Sequence, residues 1–324
     1  MYRFCASTKV GWSHELKGEI CQDNHYCIEK NSIFFAAVAD GLTTSKYSHI
    51  ASKIASFQTV TYCSERITLK MNAKKILSII RDSFVMADLA IKRRAGGHLN
   101  DFDTTLTIAV FIRGSLYYGH VGDSGIIALR CDGTFEEVTE AQHGIGHDND
   151  APVYPLAANE KWVFAKHPHR IKALFLMTDG MINKVVTPLL KSQLYQLDHA
   201  YLFYLYDNLC KNQNLNSWIS SEVIQVSPGD VKADDKTLLG AVYTVININM
   251  KDEEYYKFPS DELWHKLLLE GEKILYPYRF PDNPLTGYEV DSEPQIVLKK
   301  KRFMSKILEK IERLSRANKA KFNK

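Results

Sequence analysis

The stretch Ser32–Thr44, SIFFAAVADGLTT, constrains this chain more than any other. Ile33 to Ala39 is an unbroken apolar run of strand length, and it stops at Asp40-Gly41. That pattern predicts a buried strand running into a tight turn. A carboxylate at such a strand end sits where the sheet opens to solvent. Gly41 lets the backbone turn and brings its own carbonyl close to whatever Asp40 holds. Taken alone, this is an ordinary Asp-Gly turn. The pattern recurs, however, in HVGDSG at Asp123, ALFLMTDG at Asp179 and ADDKTLLGAV at Asp234-Asp235. Acids on several strand ends can converge into an oxygen-rich pocket of the kind that binds hard divalent cations.

The chain has 324 residues, 45% of them apolar and 24% charged, enough for one large core with or without an appendage. Its net charge of +3 is unevenly spread. Lys299–Lys324 carries eleven Lys and Arg against Glu309 and Glu312, a net of +9; the remainder holds 30 basic against 36 acidic residues, a net of −6. An acidic body with a basic tail results. The six cysteines form no CxxC pair, which fits free thiols in a reducing cytoplasm. No apolar run reaches membrane-spanning length and the first residues lack a signal design, so the expectation is a cytoplasmic protein.

In chain order, Tyr2–Gly11 reads as a strand, Ser13–Asp23 as a polar loop, and Asn24–Glu29 with Ser32–Ala39 as a hairpin. The hairpin places Asp23 and Asp40 at the same end of a sheet. Tyr47–Ile67 and Ala73–Arg93 show apolar residues at helical spacing, ended by Gly96-Gly97. Strands follow at Thr104–Ile112, Ser115–Val121 and Ser124–Arg130, with turns at Arg113-Gly114 and Cys131–Thr134. Residues 140 to 160 read as a surface flap, and Trp162–Lys166 and Ile171–Met177 as strands. Pro188–Leu209 and Trp218–Val226 read as helices, and Lys236–Ile248 as a closing strand. This order predicts an α+β fold, two stacked antiparallel β-sheets flanked by helix pairs in a four-layer α-β-β-α sandwich.

GEICQDNHY, VADGL, a Thr-Thr strand leading to VGDSG, FLMTDGM and DDKTLLGAV occur in one order over Met1–Asn249. In this the chain resembles the metal-dependent protein phosphatases of the 2C type, and its SHxxxGxxCQD opening and DDKTLL ending resemble their prokaryotic branch. The resemblance implies a Mn²⁺- or Mg²⁺-dependent serine/threonine phosphoprotein phosphatase acting on a phosphorylated protein, with two ions and a third, weaker one. Residue by residue it makes Asp40 the carboxylate bridging two ions, with the Gly41 carbonyl as a further ligand. Asp179 and Asp234 match the other direct ligands, Asp23 a carboxylate that orients metal-bound water, and Asp123 a ligand of the third ion. A hydroxide bridging the two ions would then attack the phosphate monoester in line. An all-oxygen donor set suits Mn²⁺ or Mg²⁺, whereas zinc would want His or Cys.

Three family positions differ. No arginine precedes Asp23, where Lys17-Gly18-Glu19 stands; Leu42 replaces a histidine after the Asp-Gly pair; and Gly125 replaces an arginine. His14 and Lys17 are the nearest substitutes for gripping the substrate phosphate. These losses keep a second reading open, a catalytically weak phosphatase-like module that binds a phosphorylated partner. The phosphatase domain is expected over residues 1–250, with 251–324 as a C-terminal extension. Residues 255–295 read as a Tyr/Pro-rich irregular wrap or linker. From Arg302 a basic amphipathic helix follows, suited to docking on the protein itself, a protein partner, or an anionic membrane or nucleic acid.

Overall fold

A computed structural model describes residues 1–142, 153–186, 197–225 and 234–275. The chain divides into Met1–Gly271 and Glu272–Lys324, and of the second unit only the end of one helix is described. Among the described residues, ten strands form two antiparallel five-stranded sheets. The first contains β1 (Tyr2–Lys9), β10 (Lys236–Tyr243), β9 (Ile171–Met177), β6 (Gly125–Arg130) and β7 (Phe135–Glu137), in that order. The second contains β2 (Asn24–Lys30), β3 (Ile33–Ala39), β4 (Leu106–Ile112), β5 (Ser115–Val121) and β8 (Val163–Lys166).

The apolar runs follow from burial on both sheet faces. In β3, Phe34, Ala36 and Val38 enter the core between the sheets, against Leu174, Leu176 and Leu239. Ile33, Phe35, Ala37 and Ala39 face the other way, onto α2 (Ser48–Arg66) and α3 (Ala73–Ala95) through Ala51, Ala55, Ile80 and Phe84. All seven residues of β3 are buried, so an alternating pattern has no place in it. β9 repeats the arrangement: Leu174 and Leu176 point inward, while Ala173, Phe175 and Met177 meet Leu202, Leu205 and Leu209 of α5 (His199–Lys211). These two-sided strands make four layers, the predicted sandwich.

Several local readings change. The loop after β1 carries α1 (Trp12–Lys17), ended by Gly18 at φ +67°, whose N–H reaches the Glu15 and His14 carbonyls. Six residues give too few turns for a periodic signal. β7 is three residues long, too short for an alternating pattern to mark it in the sequence. The helix at Trp218 starts earlier, as α6 (Leu215–Trp218), and continues as a π turn over Ile219–Val223. Within the segment read as irregular, α7 (Glu253–Tyr256) and α8 (Asp261–Leu275) form. Tyr256 is buried, stacked on Phe203 with centroids 4.4 Å apart, and its hydroxyl donates to the Gly133 carbonyl at 2.8 Å. The Tyr255 hydroxyl accepts the Phe135 N–H at 2.9 Å, so this segment covers one edge of the first sheet. The start of the helix read from Pro188, residues 143–152 of the flap and the basic helix from Arg302 lie outside the described residues.

Candidate active site

Antiparallel pairing brings the acidic strand ends to one pole of the sandwich. Asn24 pairs with Ala39, so Asp23 and Asp40 leave their strands side by side. Leu238 pairs with Met177, so Asp234 and Asp235, before β10, lie beside Asp179, which opens the short helix α4 (Asp179–Ile182) after β9. Asp123 sits in the turn between β5 and β6, after Gly122 at φ +107°. A Cβ at Gly122 would run into the Thr105 side chain, so glycine is needed for this turn to close on β4.

Carboxylate oxygens of Asp40, Asp123 and Asp179 lie within 4.8 Å of one another. Backbone contacts fix this arrangement. Asp40 N–H donates to Thr105 Oγ1 at 2.9 Å, and its carbonyl accepts the Thr105 N–H at 2.7 Å and the Thr104 hydroxyl at 2.9 Å. The Gly41 N–H donates to the Gln22 carbonyl at 3.1 Å, and a Cβ on Gly41 would collide with Ser48. Asp179 Oδ1 accepts the N–H of Gly180 at 2.6 Å. Gly180 in turn packs so closely on the Asp235 carbonyl that no side chain fits.

Asp23 is buried, and its Oδ2 accepts the hydroxyls of Thr178 at 2.6 Å and Thr237 at 2.9 Å. Burial pushes its carboxyl up to about 7, with Asp235 repelling in the same sense and the two hydroxyls opposing. Asp40 and Asp179 keep some surface open to the cleft but are packed round by protein. Burial raises both well above the usual carboxylate range; Asp23, then Asp179 and Asp123, repel Asp40, while Asp123, then Asp234, repel Asp179. Like-charged acids pressed together are a poor structural motif and a good cation site. The donors are all oxygens, and Asp23 Oδ1 is buried without a hydrogen-bond partner. These residues therefore fit hard divalent cations.

The other predicted site residues stand slightly apart. Asp234 is half-exposed, its Oδ1 accepting the Asp235 N–H at 2.7 Å and standing 3.8 Å from His14 Nε2. His14 is buried, with Nδ1 3.0 Å from Asp235 Oδ1 and Nε2 3.7 Å from Glu19 Oε2. Lys17 is exposed on α1, 3.9 Å from Glu19 Oε2. A Cβ at Gly125 would meet the tip of the Ile182 side chain, which packs over the glycine. Thr178, Thr237 and the pair Thr104-Thr105 hold the acids in place. The sequence signals them only by their position inside the acidic motifs.

The sequence matches the family model for protein phosphatase 2C over residues 10–220. No curated protein matches it. Among solved structures, the chain is similar to a bacterial serine phosphatase at 14% identity and TM-score 0.54, covering 78% of this chain and 100% of that one. It is similar to the serine/threonine phosphatase of S. agalactiae at 15% identity and TM-score 0.51, over 75% of this chain and 99% of the other. The phosphatase Stp1 from Staphylococcus aureus aligns at 14% identity and TM-score 0.50, over 75% and 95%. At these identities the likeness is one of fold. The family match, in contrast, spans well over half the chain and all but the last of the acidic strand ends, and by it this protein belongs to the protein phosphatase 2C family of phosphoprotein phosphatases.

Proposed function

We propose that the protein hydrolyses phosphoserine and phosphothreonine in proteins with Mn²⁺ or Mg²⁺ as cofactor. One observation carries this reading: oxygens of Asp40, Asp123 and Asp179, from three separate strand ends, meet within 4.8 Å, with Asp23 buried beside Asp40. A retained constellation of this kind is costly without a cation, which weighs against a silent binding module. When bound, the divalent ions supply positive charge against the phosphate and an acidified water.

The protein's own share is placement. Asp40, the Gly41 carbonyl, Asp179 and Asp234 would hold the ions, and Asp40, crowded by the other acids, would be the residue to serve two at once. Asp23, fixed by Thr178 and Thr237 through Oδ2, keeps Oδ1 free to orient a water. Asp123 would serve a third, weaker ion. Lys17, exposed at the end of α1, offers an ammonium group to the substrate phosphate. Among the described residues no helix is long and apolar enough to cross a membrane, and the six cysteines are free, which supports a reducing, cytoplasmic setting.

The test is hydrolysis of an aryl phosphate and of phosphoserine, phosphothreonine and phosphotyrosine peptides, with chelator or with added Mn²⁺ or Mg²⁺. Turnover is expected only with metal, and Asp40→Asn and Asp179→Asn should lower it by at least a hundredfold while leaving the circular dichroism unchanged. Equal turnover in chelator and in manganese refutes the assignment.

A further inference from the structure

Asp235 directly follows the acid assigned as a ligand, and its surroundings are more completely built than those of any other carboxylate near the site. It is 1% exposed. Oδ1 accepts the N–H of Gly11 at 2.6 Å, and Oδ2 accepts the N–H of Gln22 at 2.5 Å. Backbone N–H groups donating to a carboxylate make hydrogen bonds of the stronger kind. Gly11 is the N-cap of α1, and Gln22 immediately precedes Asp23. A single carboxylate thus closes both ends of the excursion 11–22 onto the start of β10.

What hangs from Gln22 is the site itself. Its carbonyl accepts the Gly41 N–H at 3.1 Å and the Ser52 hydroxyl at 2.6 Å. The next residue, Asp23, is held by Thr178 and Thr237. On its other side the Asp235 carbonyl abuts Gly180, the neighbour of Asp179. His14 adds a second arm. Its Nδ1 stands 3.0 Å from Asp235 Oδ1, off the line of a hydrogen bond. Its Nε2 faces the carboxylate of Asp234 at 3.8 Å. One imidazole spans two consecutive aspartates, one buried and one at the cleft. Buried on all sides, it has little access to a substrate phosphate.

We propose that Asp235 and His14 are positioning residues: Asp235 sets the backbone that carries Asp23 and Gly41, and His14 orients Asp234 toward the cations. The inference rests on the metal-dependent reading above. Groups behind metal ligands in this way commonly change metal affinity by 10- to 100-fold when removed.

The test uses the full chain, with Mn²⁺ titrated by calorimetry and kcat and KM measured on an aryl phosphate. Asp235→Asn keeps one acceptor oxygen but sets an amide N–H against the second backbone donor. It should weaken Mn²⁺ binding at least tenfold and lower kcat, with KM little changed. His14→Asn retains an N–H near the Nδ1 position and removes Nε2. It should weaken Mn²⁺ binding several-fold, again without raising KM. Should Asp235→Asn fail to fold, His14→Asn decides, because it leaves both backbone contacts of Asp235 intact. Wild-type Mn²⁺ affinity in His14→Asn overturns the proposal, and a raised KM with that affinity intact would make His14 a substrate-binding residue instead. Should the wild-type protein bind no Mn²⁺, the functional reading falls, and this inference with it; wild-type binding unmoved by the substitutions sinks this inference alone.

Discussion

Crowded carboxylates make the metal-free protein sensitive to alkali in a way the loaded protein should not be. Asp23 is raised to about 7 from an ordinary 3.8, and Asp40 and Asp179 shift in the same direction. With a folded-state pKa above the unfolded one, the native state holds its proton longer as pH rises. The unfolded chain releases its proton near pH 4, the folded chain near pH 7. Between them the native state binds more protons, so stability falls as pH rises, and levels off above about 7. For Asp23 the gap of roughly three pH units corresponds to at most about 4 kcal/mol, at about 1.36 kcal/mol per unit. From pH 5 to pH 8 only about two of those units are crossed, so at roughly 2–4 °C per kcal/mol for a domain of this size Tm should drop by roughly 5–10 °C in chelator.

Differential scanning calorimetry in chelator and in excess Mn²⁺ or Mg²⁺ reads this directly. The ions should lift Tm more at pH 8 than at pH 5, since they bind the ionised cluster and must displace protons at the lower pH. Asp23→Asn supplies the control. Its amide oxygen can still accept from Thr178 and Thr237, but no charge develops. In chelator at pH 8 it should therefore melt above the wild type, with a flatter pH dependence. A chelated wild-type Tm that is level from pH 5 to 8 and matches Asp23→Asn would refute the account of the cluster.

Two further expectations concern the frame. Gly180→Ala must push the Asp235 carbonyl aside, which should cost roughly 1–3 kcal/mol and, by moving Asp179, lower kcat; a variant with wild-type Tm and turnover would show that the contact relaxes freely. We propose that the chemistry lies within residues 1–250, so deleting Lys299–Lys324 should leave aryl phosphate turnover nearly unchanged while reducing salt-sensitive binding to anions. Ending the chain after Asn249 instead removes Tyr255, Tyr256 and Trp264, and Tyr256→Ala alone should cost about 3–5 kcal/mol in a melt. A shortened chain as stable as the full one would show that the α7 contacts contribute nothing.

The layers were legible because each central strand carries a mark that chain-local reading detects. β3 is apolar throughout and β9 is apolar but for Lys172, since both faces are covered, and an Asp-Gly pair follows each within two residues. α2 and α3 are long enough for their spacing to register. Less visible were elements whose cause lies elsewhere in the chain. α1 is set by a left-handed Gly18 and by the Asp235 carboxylate on its N-cap. α7 is set by the rings that Tyr255 and Tyr256 meet, those of His199, Phe135 and Phe203. Neither offers a repeating pattern of its own.

The acids of the site divide along the same line, and the division explains why adjacent aspartates escape a sequence reading. Asp40, Asp123 and Asp179 each end a strand or a turn, so punctuation alone marks them. Asp234 and Asp235 begin a strand, where successive side chains point to opposite sides. One therefore reaches the cleft and the other goes inward, but the letters Asp-Asp do not say which. The answer depends on donors more than two hundred residues away, the N–H groups of Gly11 and Gln22, which make an inward carboxylate tolerable at the 235 position. The same holds for Asp23, whose acceptors' partners come from Thr178 and Thr237. A ligand can be read from its own neighbourhood, whereas a residue that holds a ligand in place is defined by where the rest of the chain returns. That difference is why the acids proposed as ligands carry a signature here, whereas the buried contacts of Asp235 emerge only when the strands are assembled.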